Sequence, residues 1–298
     1  MSRLEALRGR VTIADGAWST ELRARGAPPN QPAEALNLSA PEMVEQLARD
    51  YIAAGATIIT TNTFAANRLH AEWRGWSADL RAVNVAGARL ARRACESGEI
   101  IVAGSIGPSG RIIAVREVSE DDLFASFAEQ AAALAEGGVD AFLLETFTEL
   151  SEITIAIAAV RSAGDLPIIA CMSFDFGPQR TSTVMGAAAD ECAAALHAQG
   201  VDALGCNCGA GAAASLPAVV ALRAHTDAPL WVKPNAGVPD LVDGLPVYRQ
   251  TPEEFTEEAL TLIEAGAEII GGCCGVGPAH IARLARVSRA KSRQRNSS

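Results

Sequence analysis

The chain repeats one pattern of hydrophobic and polar positions, in which a helical stretch ends at a glycine and a short hydrophobic run follows. Gly138 precedes the run at residues 141–144, and Gly200 precedes the run at residues 203–206. A glycine just past a helix end readily takes the left-handed conformation that caps the helix. A hydrophobic run without alternation is typical of a parallel strand that is buried on both faces. The repeat therefore predicts helices that alternate with parallel strands.

Eight such runs lie along the chain, at residues 11–14, 58–61, 100–103, 141–144, 167–172, 203–206, 230–233 and 269–271. Helical segments between them include residues 41–54, 122–135, 151–162, 188–197 and 252–265. Eight alternating units predict an α/β fold that closes into a single (β/α)8 TIM barrel. An open, doubly wound sheet is the alternative, but no Gly-x-Gly-x-x-Gly fingerprint follows the first run.

Length and composition fit one barrel domain. A chain of 298 residues with 49% hydrophobic residues buries a large core, and barrels of this class reach that size as one domain. We assign residues 1–288 to the barrel and residues 289–298 to a polar, basic C-terminal tail. The segment at residues 66–82 is long and contains two tryptophans, which indicates an elaborated loop or an extra helix.

Charge and hydropathy exclude two classes of partner. A net charge of −10 argues against a nucleic-acid groove, which needs a basic face. The chain has no apolar run long enough to cross a bilayer, and its first 16 residues lack the apolar stretch of a signal peptide. We therefore expect a cytoplasmic protein that binds neither nucleic acid nor membrane, and whose seven cysteines are reduced.

Three of those cysteines follow strands that are close in the predicted order. Cys208 lies just past the sixth run, and Cys273 and Cys274 lie just past the eighth. Because the carboxyl ends of barrel strands meet at one mouth, the three sulfurs converge there. Thiolate-rich ligation selects zinc, and a catalytic zinc keeps three protein ligands and one open position. The sequence therefore predicts a zinc site that admits a sulfur substrate.

Spacing restricts which cysteines reach that site. Neighbouring strand residues point to opposite faces, so Cys273 and Cys274 bind one ion only if the strand ends there, and glycines at 271, 272 and 275 allow that turn. Cys206 and Cys208 share a face about 6.6 Å apart, and only Cys208 is near enough to the rim. A disulfide between Cys273 and Cys274 is the alternative, but it is strained and a reducing compartment disfavours it. The remaining cysteines are expected to pack in the core.

Several motifs resemble the zinc-dependent homocysteine S-methyltransferases, a family that includes betaine–homocysteine methyltransferase and the homocysteine module of cobalamin-dependent methionine synthase. The motifs are Asp15-Gly16-Ala17, Leu36-Asn37-Leu38, Thr61-Asn62-Thr63-Phe64, Gly104-Ser105-Ile106-Gly107-Pro108, Lys233-Pro234-Asn235-Ala236-Gly237 and Gly271-Gly272-Cys273-Cys274-Gly275. The resemblance covers almost the whole chain. It implies a (β/α)8 barrel whose zinc ligands are Cys208, Cys273 and Cys274, and which methylates homocysteine to methionine.

The resemblance also implies substrate contacts. Glu145 is similar to the carboxylate that binds the amino group of homocysteine, and Asp15, in its turn with Gly16, is similar to a second acidic contact. Asn235 either offers its amide oxygen to the zinc or makes a hydrogen bond next to the ligands. The alternative roles are local, since Glu145 could cap the following helix and Asp15 could stabilise its own turn.

The expected chemistry requires no general acid or base from the protein. A free thiol has a pKa of about 8.5, so little of it is thiolate at neutral pH. Zinc coordination removes the proton and fixes the sulfur in place. The zinc-activated substrate thiolate then attacks a methyl carbon in line, and positioning supplies much of the acceleration.

The methyl donor is the least determined part of the prediction. Betaine is a quaternary ammonium, which proteins usually bind with aromatic cages, whereas this chain has only 5% aromatic residues. By the resemblance, Ala65 and Thr146 also stand at positions where the betaine enzyme has tyrosines. We therefore favour S-methylmethionine or another sulfonium, and Trp18, Trp73 and Trp76 are candidates to face it. Gly275, however, resembles the betaine and methionine-synthase branches more than the S-methylmethionine branch.

Two other functions remain open from the sequence. The chain could activate homocysteine within a split cobalamin- and methyltetrahydrofolate-dependent methionine synthase, in which case a corrinoid protein is its partner. It could also be a zinc- or thiol-binding module without turnover, although such a module has no need for Asp15 and Glu145. Neither the oligomeric state nor the donor follows from the sequence.

Overall fold

The structure, a computed structural model, describes residues 9–95 and 99–295, with side chains as far as residue 290. Its strands are β1 (Thr12–Ile13), β2 (Ile58–Thr60), β3 (Ile101–Ile106), β4 (Ala141–Phe147), β5 (Ile168–Met172), β6 (Ala203–Cys208), β7 (Leu230–Pro234), β8 (Asp240–Val242), β9 (Leu245–Val247) and β10 (Ala267–Ile270). Its helices are α1 (Ser19–Ala24), α2 (Leu36–Ser39), α3 (Pro41–Ala53), α4 (Arg68–Trp73), α5 (Leu80–Ala94), α6 (Glu120–Gly137), α7 (Leu150–Ser162), α8 (Ala189–Ala198), α9 (Ala212–Arg223), α10 (Pro252–Glu264) and α11 (Pro278–Arg295).

Eight of the strands form one parallel sheet in the order β1-β10-β7-β6-β5-β4-β3-β2. A bridge between Ala14 and Ile58 brings the two ends of this sheet together. Two backbone hydrogen bonds support the closure, from the N–H of Asp15 to the carbonyl of Ile58 at 3.0 Å and from the N–H of Thr57 to the carbonyl of Ile13 at 2.8 Å. The sheet is therefore a closed barrel. The predicted TIM barrel is confirmed, and each predicted hydrophobic run overlaps one of its strands.

Burial on both faces explains why these runs are hydrophobic throughout. One apolar cluster fills the barrel interior, and its members are Ala14, Ile58, Ile101, Ala103, Ala141, Leu143, Ile169, Cys171, Ala203, Trp231 and Ile269. Their strand neighbours, such as Ile59, Val102 and Phe142, belong to the larger cluster packed against the helices. Because successive strand residues face opposite sides, every position of such a strand loses contact with water.

The helices begin and end where local chemistry favours it. A capping box starts α10, in which Thr251 and Glu254 bond each other's backbone N–H groups. Helix α6 ends at Gly138, whose φ of 90° is left-handed, as the repeat predicted. The segment at residues 66–82, for which an elaborated loop or an extra helix was predicted, contains α4 and the first residues of α5.

The C-terminal boundary stays a prediction. Helix α11 runs continuously from Pro278 to Arg295, so no change of structure marks the division between residues 288 and 289. Residues 296–298 of the predicted tail lie outside the described residues. Within residues 9–95 and 99–295, none of the helices combines the length and apolar character needed to cross a membrane.

Candidate functional site

The three predicted zinc ligands lie together at the carboxyl end of the barrel. The Sγ atoms of Cys208, Cys273 and Cys274 are all within 4.8 Å of one another, and no other such group of potential metal ligands occurs in the described part of the chain. Tetrahedral zinc with bonds of about 2.3 Å places its sulfur ligands about 3.8 Å apart. The donor set and its spacing therefore fit zinc after small side-chain movements.

A left-handed turn brings Cys208 into this cluster. By strand alternation Cys208 would follow Cys206, which is buried in the core between strands and helices. Instead Cys208 has a φ of 69°, which is uncommon for a residue other than glycine. The turn takes Cys208 off the face of Cys206 and directs its sulfur toward the other two cysteines. Strained backbone of this kind is concentrated at functional sites.

The glycines beside Cys273 and Cys274 serve two different purposes. Gly275 has a φ of 81°, so it supplies the left-handed turn that the sequence suggested. Gly271 and Gly272 do not have positive φ, and they are needed for close packing. A Cβ on Gly272 would lie 2.2 Å from the side chain of Val276.

Asn235 connects the two cysteine-bearing loops. Its Oδ1 accepts a hydrogen bond from the backbone N–H of Cys274 at 3.0 Å, and its Nδ2 donates to the carbonyl of Gly209 at 2.6 Å. Its own backbone N–H donates to the carbonyl of Cys208 at 3.3 Å. Because the amide oxygen is engaged by Cys274, the geometry favours the hydrogen-bonding role over direct metal ligation.

The three thiols have unequal acidity without a metal. Hydrogen bonds from the thiols of Cys273 and Cys274 hold the pKa of Cys208 well below its usual value. The same interactions with Cys208 raise the pKa of Cys273 well above the usual value and that of Cys274 to about 11. Cys208 is therefore the first thiolate of the cluster.

The other four cysteines lie outside the cluster. Cys171, Cys192 and Cys206 are buried, and Cys95 is half-buried. Burial raises the pKa of Cys192 and of Cys206 to about 12. All seven cysteines are free, so the structure contains no disulfide between Cys273 and Cys274.

Asp15 is part of a buried hydrogen-bond network that sequence reasoning missed. Its Oδ1 lies 2.6 Å from the Nζ of Lys233. Its Oδ2 accepts from the backbone N–H of Thr60 at 2.7 Å, from the Thr60 hydroxyl at 2.8 Å and from the indole N–H of Trp18 at 3.2 Å. Asp15 is fully buried. The carboxylate therefore does more than stabilise its own turn, since it connects three strands.

One feature of the sequence could have identified Lys233 as a buried charge with a partner. It is a lone charged residue at the end of the apolar run at residues 230–233. A buried lysine is costly unless it has a charge partner. Burial alone would lower its pKa, but the carboxylates of Asp15 and Glu145 outweigh this effect and raise it. Lys233 therefore stays an ammonium.

Glu145 is exposed to the cavity by an irregularity in β4. The pairing register of β4 with β5 shifts between Leu144 and Phe147, and Thr146 has a φ of 66°. Asn207 holds this conformation, because its Oδ1 accepts from the backbone N–H of Thr146 and its Nδ2 donates to the Thr146 hydroxyl, each at 2.7 Å. Bulges of this kind commonly redirect a side chain beside an active site.

The surroundings of Glu145 suit a cation-binding carboxylate. The hydroxyl of Ser105 donates to its Oε1 at 2.5 Å. Burial raises the pKa of Glu145, while the nearby ammonium of Lys233 and the Ser105 hydrogen bond oppose that rise. Helix α7 begins after Glu149 and not after Glu145, so the helix-capping alternative is wrong.

One cavity of about 420 Å³ is lined by the cysteine cluster, Lys233 and Glu145, whereas Asp15 and Asn235 lie behind its wall. Its inner end is formed by the cysteine cluster, Lys233, Glu145 and Gly16. A Cβ on Gly16 would lie 2.1 Å from the carbonyl oxygen of Val276, so the wall admits no side chain there. A second part of the lining, here called the outer end, contains the rings of Phe64, His70, Trp73 and Trp76, whereas Trp18 lies next to the inner end because its indole N–H bonds Asp15.

The outer end also contains a carboxylate without a cation partner. Glu34 is 7% exposed, and its Oε1 accepts from the backbone N–H of Ala65 at 3.0 Å. It forms no ion pair with any residue that the structure describes.

His70, which also lines the outer end, has a defined tautomer. Its Nδ1 lies 2.8 Å from the carbonyl of Pro108, which can only accept a hydrogen bond, so the other ring nitrogen carries no proton when the ring is neutral. Burial lowers the pKa of His70 and favours that neutral form.

Comparisons with known proteins agree with this arrangement. The chain is 30% identical over 302 residues to a methionine synthase of Mycobacterium tuberculosis, covering 95% of this chain but 25% of that protein. It is 29% identical to betaine–homocysteine S-methyltransferase 1 of Mus musculus, covering 96% of this chain and 73% of the mouse protein. The chain thus spans about a quarter of the length of the mycobacterial relative.

Among solved structures, the metallated form of the homocysteine methyltransferase MmuM from Escherichia coli superposes with a TM-score of 0.80 at 27% identity. The match covers 96% of this chain and all of that one. The sequence profile of the homocysteine S-methyltransferases matches residues 12–288. Because that match spans the whole barrel and includes all three clustered cysteines, the chain belongs to the homocysteine S-methyltransferase family.

Proposed function

We propose that this protein is a zinc-dependent methyltransferase that moves a methyl group from a small cationic donor, preferably a sulfonium, to the thiol of homocysteine, giving methionine. The observation that carries the proposal is the position of the cysteine cluster. Three sulfur ligands stand at the inner end of a cavity that also contains a carboxylate for an ammonium and aromatic rings for a cation. Family membership supports the same acceptor.

The protein's residues have separable roles in this proposal. Cys208, Cys273 and Cys274 hold zinc, which when bound keeps the acceptor sulfur deprotonated at neutral pH. Glu145 accepts a hydrogen bond from the acceptor's ammonium. Gly16 borders the acceptor's space with its backbone, and Asn235 fixes the cysteine loops.

The donor occupies the outer end of the cavity. There Glu34 supplies a negative charge, and the ring of Trp73 offers its face to the donor cation, an interaction worth about 0.5–2 kcal/mol. Trp18 offers a second ring from the side of the inner end. The acceptor sulfur bonds to the methyl carbon as the donor's bond to that carbon breaks, and the donor leaves as a neutral molecule. Holding the two substrates in line at opposite ends of one cavity lowers the entropic cost of the reaction.

A second candidate is the thiol-activating subunit of a split methionine synthase. It is favoured by the match of nearly the whole chain to a quarter of the mycobacterial methionine synthase. In that case the methyl group comes from a corrinoid protein and not from a free small molecule.

An assay of the zinc-loaded protein tests these proposals. Homocysteine is supplied with S-methylmethionine, S-adenosylmethionine or betaine, and separately with methylcobalamin. Methionine from a sulfonium alone supports the main proposal. Turnover with methylcobalamin alone supports the split synthase. Zinc and homocysteine binding without turnover of any donor indicates a non-catalytic module.

The expected location is the cytoplasm. All seven cysteines are free thiols, and the zinc ligands among them bind metal only when reduced. A reducing compartment meets that requirement.

A further inference from the structure

Lys233 is a buried ammonium at the inner end of the cavity. Its side chain is 4% exposed, and its Nζ lies 2.6 Å from Asp15 and 5.9 Å above the ring centroid of Trp231. Trp231 is fully buried inside the barrel. Lys233 is therefore held in place by Asp15 and the buried Trp231 next to the cavity. The proposed function does not yet assign it a role.

The ammonium of Lys233 has N–H donors that no protein group described in the structure accepts. A lysine carries three N–H donors. Within the described part of the chain, Asp15 accepts one of them, and no other protein acceptor lies within hydrogen-bond distance. Donors left unpaired at a buried charge are costly. Since Lys233 lines the cavity, a bound molecule can supply the missing acceptor.

Asp15, in contrast, is already engaged by protein donors at both oxygens, and it is not among the residues that line the cavity. Asp15 accepts from Lys233, twice from Thr60 and once from Trp18. A substrate ammonium placed beside it would also meet the positive charge of Lys233. Asp15 thus holds Lys233 in place, and Glu145, which lines the cavity, is the carboxylate that faces the acceptor's amino group.

Lys233 and Glu145 therefore present opposite charges to the same space. The two groups interact electrostatically, and both line the inner end of the cavity near the cysteine cluster. The zwitterionic end of an amino acid carries the complementary pair of charges, an ammonium for Glu145 and a carboxylate for Lys233.

We propose that Lys233 binds the carboxylate of the acceptor, so that the carboxylate, more than the amino group, determines which thiols are methylated. The inference rests on the proposed function and adds a specificity determinant to it. Its consequence is a wider acceptor range, in which thiol carboxylic acids that lack an α-amino group are also methylated.

Two analogues of homocysteine separate the contributions of its charged groups. γ-Mercaptobutyrate lacks the amino group, and mercaptopropylamine lacks the carboxylate. With wild-type protein, we expect mercaptopropylamine to lose about tenfold to a hundredfold in kcat/KM relative to homocysteine, the scale of one charged hydrogen bond. γ-Mercaptobutyrate should lose less. The opposite order of the two analogues overturns the inference.

Substitution of the lysine gives a sharper test. In Lys233→Met the penalty for removing the carboxylate should disappear, while the penalty for removing the amino group persists. Glu145→Gln is the matched control and should show the reverse pattern. An unchanged carboxylate penalty in Lys233→Met contradicts the proposal.

Folding and function can be controlled separately. Lys233→Met leaves Asp15 as an unpaired buried charge, so the double variant Asp15→Asn with Lys233→Met is tested in parallel, because it removes both charges together. Calorimetric binding of the three thiols to the zinc-loaded proteins gives the same comparison without turnover. If no thiol is methylated by any donor but the binding pattern holds, the proposed function fails and the role of Lys233 stands.

Discussion

The backbone N–H of Cys274 donates a hydrogen bond to the side-chain oxygen of Asn235 at 3.0 Å, and the amide group of the same side chain reaches the loop that follows Cys208. One side chain thus sets the distance between ligands that are far apart in sequence. Residues that orient metal ligands commonly contribute about tenfold to a hundredfold in metal affinity.

We therefore expect Asn235→Ala to weaken zinc binding by about tenfold to a hundredfold. The measurement is competition with a chelator of known affinity. Asn235→Asp keeps an oxygen for Cys274 but loses the donor to Gly209, so its affinity should fall between those of wild type and Asn235→Ala. Equal zinc affinity in all three proteins would show that Asn235 does not position the zinc ligands.

Cys274→Ala should abolish both zinc binding and methyl transfer, because two thiolates do not sustain a tight site that is also open to substrate. Zinc content after gel filtration measures the first effect. Cys192→Ala is the control, since Cys192 is buried away from the cluster. Full zinc occupancy in Cys274→Ala would show that the ligand set is wrong.

Alkylation of the metal-free protein should select Cys208. Its pKa lies well below the usual value because two thiols donate to it, whereas the pKa of Cys274 is about 11 and that of Cys206 about 12. The thiolate is the reactive form. At neutral pH iodoacetamide should therefore modify Cys208 first, as mapped by peptide mass spectrometry, and the pKa of its reaction should lie below that of a free thiol. Added zinc should protect it, and first modification of Cys274 would contradict the assigned order of acidity.

Glu145→Gln should impair homocysteine use and leave zinc in place. The substitution removes the charge that faces the acceptor's ammonium, at a cost of about 1.5–3 kcal/mol in kcat/KM. It does not touch the cysteines, so zinc content is the internal control. An unchanged kcat/KM for homocysteine would mean that another group binds the ammonium.

Glu34→Gln should raise KM for a sulfonium donor and leave KM for homocysteine unchanged. Glu34 is the buried carboxylate at the outer end of the cavity, whereas Glu72 on α4 is exposed and paired with Arg68. Glu72→Gln is therefore the matched control. Trp18→Leu is a less selective test, because the Trp18 indole N–H also bonds Thr60 and Asp15. Equal donor KM in wild type and Glu34→Gln would place the donor elsewhere.

The sequence predicted the barrel and the convergence of its cysteines because both follow from local patterns. A hydrophobic run identifies a strand wherever it lies, and the carboxyl ends of the strands necessarily meet at one mouth. The prediction failed for groups whose roles depend on distant partners. Lys233 and Asp15 are separated by 218 positions, and the sequence around either residue gives no indication that the two form a pair.

The sequence also failed to predict two unusual backbone conformations. Thr146 and Cys208 both adopt left-handed φ values that their residue types disfavour. Each is held by surrounding contacts, Thr146 by Asn207 and Cys208, the last residue of β6, by the backbone N–H of Asn235, which donates to its carbonyl. Propensity rules predict the common conformation of a residue, whereas these two turns exist because tertiary contacts override it.

The closure of the barrel and the charge arrangement of the site depend on the same carboxylate. Strand β1 is only two residues long, and the N–H of Thr60 in β2 bonds the Asp15 side chain instead of a backbone carbonyl. Loss of that carboxylate therefore loosens the seam between the first two strands as well as releasing Lys233. Hydrogen exchange at the Thr60 amide consequently reports on both features, since this N–H bonds the carboxylate that also holds Lys233.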